Sequence, residues 1–261
     1  RAGVITVKEF LEDLAKRVEK NQLNPGRETQ SVAEASAGEW SSIGGDYAIN
    51  HSVNIYSEGY LTSLALDFSL LQDSELKYSY RDVHRRLYQE HRVPKGYGVS
   101  DVQYILKDLS GKDYAPWWQA NVNSPMSLDF PELLSQAGLN LSYGKDSKAE
   151  AFAGMTLSST HGSLVLDQVL RNGPAWQAGI VAGDEVLAIN GLKVTAAGFY
   201  KRIKDFKVGD SVEVILFSND KIKQVQLILG EQQSGKLVLK GDAKATKQQK
   251  AFFKAWLGID W

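Results

Sequence analysis

The side chains able to hold a metal are few and poorly spaced for it. The four histidines are His51, His84, His91 and His161, and cysteine is absent. The H-E-x-x-H helix of zinc-dependent hydrolysis needs two histidines four residues apart on one face, with the glutamate between them activating water. None of the four has another at that spacing, so no metal site is expected within this chain. His84 and His91 stand two helical turns apart in Val83-His84-Arg85-Arg86-Leu87-Tyr88-Gln89-Glu90-His91-Arg92. They can share a face, but the arginines beside them repel a cation, and a solvated basic face is the expectation. His51 and His161 are single histidines in segments read as surface loops.

The longest patterned run is Gly173-Pro174-Ala175-Trp176-Gln177-Ala178-Gly179-Ile180-Val181-Ala182-Gly183-Asp184-Glu185-Val186-Leu187-Ala188-Ile189-Asn190-Gly191. Pro174 can start a one-turn helix, Gly179 and Gly183 suit tight turns, Val186, Leu187 and Ile189 suit a strand, and Asn190-Gly191 turns it back. The run resembles the central signature of PDZ domains. That resemblance implies binding of an extended peptide as an added strand, its carboxylate held by backbone N–H groups of a loop. The loop would be Phe152, Ala153, Gly154 and Met155. Thr156 and Leu157 would pair with the peptide, and Phe199, Tyr200 and Ile203 would line the side-chain pocket. Gly154→Val is then expected to block binding at little cost in stability, provided Gly154 does not need a positive φ. Two alternatives stay open: that Phe152, Leu157 and Ile203 serve only as core, and that another part of the protein fills the groove.

Residues 1–147 read as helical. Thr6-Val7-Lys8-Glu9 has the form of a capping box, and Val7, Phe10, Leu11, Leu14 and Val18 follow at helical spacing up to Asn24-Pro25-Gly26. Ile55 to Leu71 is apolar on most sides, which predicts a helix buried within its domain. Ser79 precedes a helix through Val83 and Leu87. Ser100 with Gln103 predicts another through Ile105 and Leu109, ended by Gly111. A short helix is expected around Trp117 and Trp118, and a last one from Pro131 to near Gly138. Beyond Tyr143-Gly144-Lys145-Asp146-Ser147-Lys148 the periodicity turns to alternation, with strands predicted at 155–158, 163–170, 185–189, 211–217 and 222–229. The reading is a multidomain α and α+β chain: a helical part over 1–147, a PDZ domain with its β-barrel-like sheet over 148–232, and a tail over 233–261 whose Phe252, Phe253, Trp256 and Leu257 suit a docking helix.

A chain of 261 residues with 43% hydrophobic and 23% charged residues can build two cores. Its net charge of -1 offers nothing to draw it to nucleic acid or anionic lipid. The longest apolar stretch, Leu61 to Leu71, is interrupted by Thr62, Asp67 and Ser69, so no membrane span is expected. A chain without cysteine suits cytoplasm and periplasm alike. Arg1 in place of Met, followed closely by the Thr6 cap, reads as a cut within a longer protein.

Three stretches carry a second resemblance: Arg1-Ala2-Gly3-Val4-Ile5; Pro25-Gly26-Arg27 with Gln30-Ser31-Val32-Ala33-Glu34-Ala35-Ser36; and Tyr56-Ser57-Glu58-Gly59. Their order is similar to the region that follows the zinc site in the bacterial glycyl aminopeptidase family, a thermolysin-like class of metallopeptidase whose members end in a PDZ domain. The resemblance implies a metallo-aminopeptidase that needs zinc in the full-length protein, with the ligands and general base in an upstream part that is this chain's partner. It implies that the chain alone is inactive. In the wider class a Y-x-K-G segment supplies a tyrosine that donates to the oxyanion, and Tyr56 falls on it; Glu58 stands where the pattern has lysine. A plain buried tyrosine at a helix start is the other reading of Tyr56, and a non-catalytic PDZ scaffold the other reading of the chain.

Overall fold

The computed structural model describes residues 4–41, 44–160 and 162–261. Arg1, Ala2 and Gly3 of the amino-terminal motif, and His161, lie outside them. Thr6 caps α1 (Val7–Gln22): its hydroxyl accepts the Glu9 N–H at 3.2 Å, and the Glu9 carboxylate accepts the Thr6 N–H at 2.8 Å. Ser31 and Glu34 repeat the exchange at α2 (Val32–Gly38). After α3 (Gly45–His51) comes α4 (Ile55–Asp73), the axis of the helical half. One side of α4 sends Leu61, Leu64, Phe68 and Leu71 against α1, while Leu66 and Leu70 pack with α5 (Tyr80–His91) and α6 (Val99–Ser110). Burial on opposite sides accounts for its lack of a polar face. Two short helices, α7 (Ala115–Asn121) and α8 (Phe130–Ser135), each carry a proline in the first turn.

Three sequence readings change. His51 is not a loop residue: it ends α3 and stacks on Tyr47, ring centroids 4.7 Å apart. Ser100 does not cap its helix, because Gly98 holds that position and the Asp101 carboxylate accepts its N–H at 2.8 Å; a charged acceptor makes the stronger bond. Helical structure also stops before residue 147. Leu139–Tyr143 is strand β1, antiparallel to β10 (Leu237–Gly241) in the tail. Their Leu139, Leu141, Leu237 and Leu239 enter the same core as α1, α4 and α11 (Lys247–Leu257). The tail docks as expected, by Phe252 and Trp256, whose rings each lie 4.9 Å from that of Phe68. Burying side chains of this size contributes about 1.5–3 kcal/mol each.

The sheet-rich part opens and closes with β2 (Ala149–Phe152) paired to β9 (Gly230–Gln233). Between them run β3 (Met155–Thr160), β4 (Ser163–Val169), α9 (Pro174–Gln177), β5 (Glu185–Ile189), β6 (Leu192–Lys193), α10 (Ala196–Ile203), β7 (Ser211–Ser218) and β8 (Lys221–Ile228). The sheet order is β3-β4-β5-β7-β8 with β6 on β5, which leaves β3 at an edge. Asn219 and Asp220, at φ 49° and 61°, form the two-residue left-handed turn between β7 and β8. A separate core, including Leu166, Ile189, Phe199, Val214 and Leu227, fills this part. The architecture is therefore a helical region, a PDZ-like sheet region and a carboxy-terminal helix. Among the described residues no helix is long and apolar enough to cross a membrane.

Candidate functional site

The link between β2 and β3 is a tight corner. Phe152 ends β2, Met155 begins β3, and Gly154 between them sits at φ +72°. A Cβ on Gly154 would lie 2.8 Å from Pro174 Cδ. The corner is held from behind, since the Gly154 carbonyl accepts the Leu170 N–H at 2.9 Å and the Ala153 carbonyl accepts the Ala175 N–H at 3.0 Å. With those carbonyls engaged, the loop can turn backbone N–H groups outward, as carboxylate capture requires. The positive φ removes the condition on which the Gly154→Val expectation rested: that change strains the loop as well as filling it.

A cavity of about 940 Å³ opens beside the corner. Of the residues assigned to the groove by resemblance, Phe152, Ala153, Met155, Thr156, Phe199, Tyr200 and Ile203 line it, while Gly154 and Leu157 do not. Met155, Leu157, Phe199 and Ile203 are buried, so they serve the core as well, and Thr156 is exposed. Sequence reasoning missed the opposite wall: Glu231 to Gly235, Tyr143, and Gln22 with Leu23 from the end of α1. Leu157 donates its backbone N–H to the Tyr200 hydroxyl at 3.0 Å.

The helical half holds the back of this site. Asp46 Oδ1 accepts the Val169 N–H at 2.7 Å, and Asn50 donates to the Val169 carbonyl and accepts the Arg171 N–H at 2.7 Å. Both side chains come from α3, one turn apart. They satisfy the end of β4, which pairs with β5 at Val165 with Glu185; an uncovered edge would leave buried polar groups unpaired. Arg171 continues the contact by donating to the Pro25 carbonyl at 2.9 Å and lying 3.6 Å from the Glu28 carboxylate.

In the Tyr56-Ser57-Glu58-Gly59 motif, the Asn54 side chain accepts the Ser57 N–H at 3.0 Å and so starts α4. Tyr56 then lies in the first turn with 74% of its surface exposed, not buried as one reading had it. The buried member is Glu58, 3% exposed. Its Oε2 accepts from Asn21 Nδ2 at 2.7 Å, and Oε1 is buried without a hydrogen-bond partner. Burial holds this carboxyl above the ordinary carboxylate range, against the opposing pull of the Asn21 bond and the Arg27 charge. Glu58 is thus an interior group joining α1 to α4.

Among the described residues no three or more His, Cys, Asp or Glu side chains converge as metal ligands would. His91 is engaged locally, with Nδ1 3.1 Å from the Gly96 carbonyl and Nε2 4.0 Å from Asp101. The described residues do not suit zinc.

Residues 1–62 match the M61 glycyl aminopeptidase family, and residues 165–205 match the PDZ domain family. No curated protein matches the chain in sequence. The aminopeptidase N family protein from Idiomarina loihiensis superposes with a TM-score of 0.78 at 23% identity, over 98% of this chain and 45% of that one. At that identity the likeness is one of fold, and this chain spans less than half of its length. The serine endoprotease from Yersinia pestis aligns over 32% of this chain and 30% of its own, at 26% identity and a TM-score of 0.29. The HtrA3 PDZ domain bound to a phage-derived ligand aligns over 33% of this chain and 91% of its own, at 13% identity and a TM-score of 0.30. A segment that matches the M61 glycyl aminopeptidase family is thus followed by one that matches the PDZ domain family, the two resemblances that the sequence displayed.

Proposed function

We propose that this chain is the carboxy-terminal part of a metallo-aminopeptidase whose PDZ domain binds peptides or proteins by their free carboxyl termini. The observation that supports the peptide site is the cavity beside the Phe152 to Met155 corner, bounded by the edge strand β3 and by Met155, Phe199 and Ile203. A terminal carboxylate would accept from the loop N–H groups, the last side chain would enter the apolar pocket, and the peptide backbone would add to β3. Titrating the full chain with a peptide in free-acid and amidated forms tests this. Roughly micromolar binding of the acid and a sharp loss on amidation are expected. Equal binding of both forms, or of neither, would overturn it.

The zinc ligands and the general base are assigned to sequence upstream of Arg1, because no cluster among the described residues suits them. Bound there, zinc would supply an activated water for removal of amino-terminal residues. What this chain would add is Tyr56, an exposed phenol at the start of α4 able to donate to an oxyanion. The competing reading, a non-catalytic PDZ scaffold, draws support from Glu58, an acidic residue in the place of the pattern's lysine and committed to the interior. An upstream H-E-x-x-H followed by a further helical Glu separates the two.

A further inference from the structure

We infer that Tyr200 is a built-in competitor for peptide, capping the backbone donor on β3 that an added strand needs. This rests on the groove reading above and deepens it. An edge strand offers outward N–H and C=O groups on alternate residues. The Leu157 N–H reaches across the groove to the Tyr200 hydroxyl at 3.0 Å, so it points to the free edge of β3 and not toward β4. A peptide whose carboxylate sits at the Ala153 to Met155 corner runs antiparallel to β3. Its last residue then falls opposite Met155, and the residue two positions earlier falls opposite Leu157.

That second pairing is already taken by the Tyr200 hydroxyl. The Tyr200 ring is not loose: it packs edge-on to Phe199, with centroids 5.5 Å apart and planes at 90°, and Phe199 is fully buried. Yet Tyr200 itself is 42% exposed, so its phenol can swing toward water when the bond breaks. The phenol both satisfies an edge N–H in the free protein and excludes strands that fail to bring a carbonyl to Leu157. Exchange of one hydrogen bond for another sets the size of the effect, about three- to tenfold in affinity.

The test compares the full wild-type chain with Tyr200→Phe, which keeps the ring on Phe199 and removes only the hydroxyl. Affinity for a free-acid peptide is measured by titration, and hydrogen exchange of the Leu157 amide by NMR. The inference requires three- to tenfold tighter binding by the variant, faster Leu157 exchange in the free variant than in free wild type, and equal protection in the two complexes. Equal affinities, with the Leu157 amide shifted by peptide in both, would overturn the competition while leaving the groove reading intact. Weaker binding by the variant would also overturn it, since the phenol would then be a ligand contact. If no peptide binds either form and the Leu157 amide never shifts, the groove reading fails and takes this inference with it.

Discussion

The side-chain amide of Asn50 donates to the Val169 carbonyl at 2.8 Å, joining α3 to the end of β4 across 119 residues of sequence. Asn50 is 1% exposed, and its oxygen accepts the Arg171 N–H. The loop after β4 also carries Leu170, whose N–H holds the Gly154 carbonyl. The helical half is therefore coupled through one short segment to the corner between Phe152 and Met155.

Asn50→Ala takes their Asn50 partner from the buried Val169 carbonyl and the part-buried Arg171 N–H. Each such loss costs about 1–3 kcal/mol, so destabilisation of about 2–4 kcal/mol is expected. Urea unfolding followed by tryptophan fluorescence checks it, and a loss below about 0.5 kcal/mol would mean that water replaces the amide.

Gly154→Ala is expected to be costly although it adds one carbon. The left-handed φ of +72° disfavours any side chain by about 1–2 kcal/mol, and the new Cβ would press on Pro174 at 2.8 Å. Thermal unfolding should fall by several degrees, about 2–4 °C per kcal/mol for a chain of this size. An unchanged midpoint would mean that the corner relaxes freely.

Glu58 predicts a pH dependence. Burial raises its folded value above the ordinary 4.5, so the folded chain holds this proton more tightly than the unfolded chain. The contribution to stability is full below the unfolded value and is lost as pH rises through the folded one. Glu58→Gln cannot ionise, and should therefore be more stable than wild type at about pH 8 and lose that advantage near about pH 4. Unfolding free energies of the two chains at several pH values test this; parallel curves would refute a raised carboxyl.

Tyr56→Phe should leave the unfolding free energy of this chain within about 0.5 kcal/mol, because the side chain is 74% exposed. In a longer protein that carries the zinc site, kcat should fall about a hundredfold with KM little changed, the pattern of a bond made mainly in the transition state. A near-normal kcat in the folded variant would make Tyr56 a surface residue only.

What the sequence determined by itself is whatever local chemistry decides. Thr6 and Glu9 announced α1 because a capping box closes within three residues. The Gly173 to Gly191 run revealed the PDZ part because its turns, one-turn helix and strand are contiguous. Only the tertiary structure decided the rest. β1 and β2 are short, and their partners β10 and β9 lie far downstream, so nothing nearby distinguishes them as strands. Glu58, noted in the sequence only as standing where the pattern has lysine, becomes an interior group because Asn21 and α1 close over it. Nothing near Asn50 in sequence points to Val169, and Tyr200, read as lining the side-chain pocket, gives no sign of its bond to the Leu157 N–H until folding brings each to its backbone group. Pairings of that kind depend on which distant groups would otherwise be buried unsatisfied, and that is a property of the assembled core rather than of any stretch of chain.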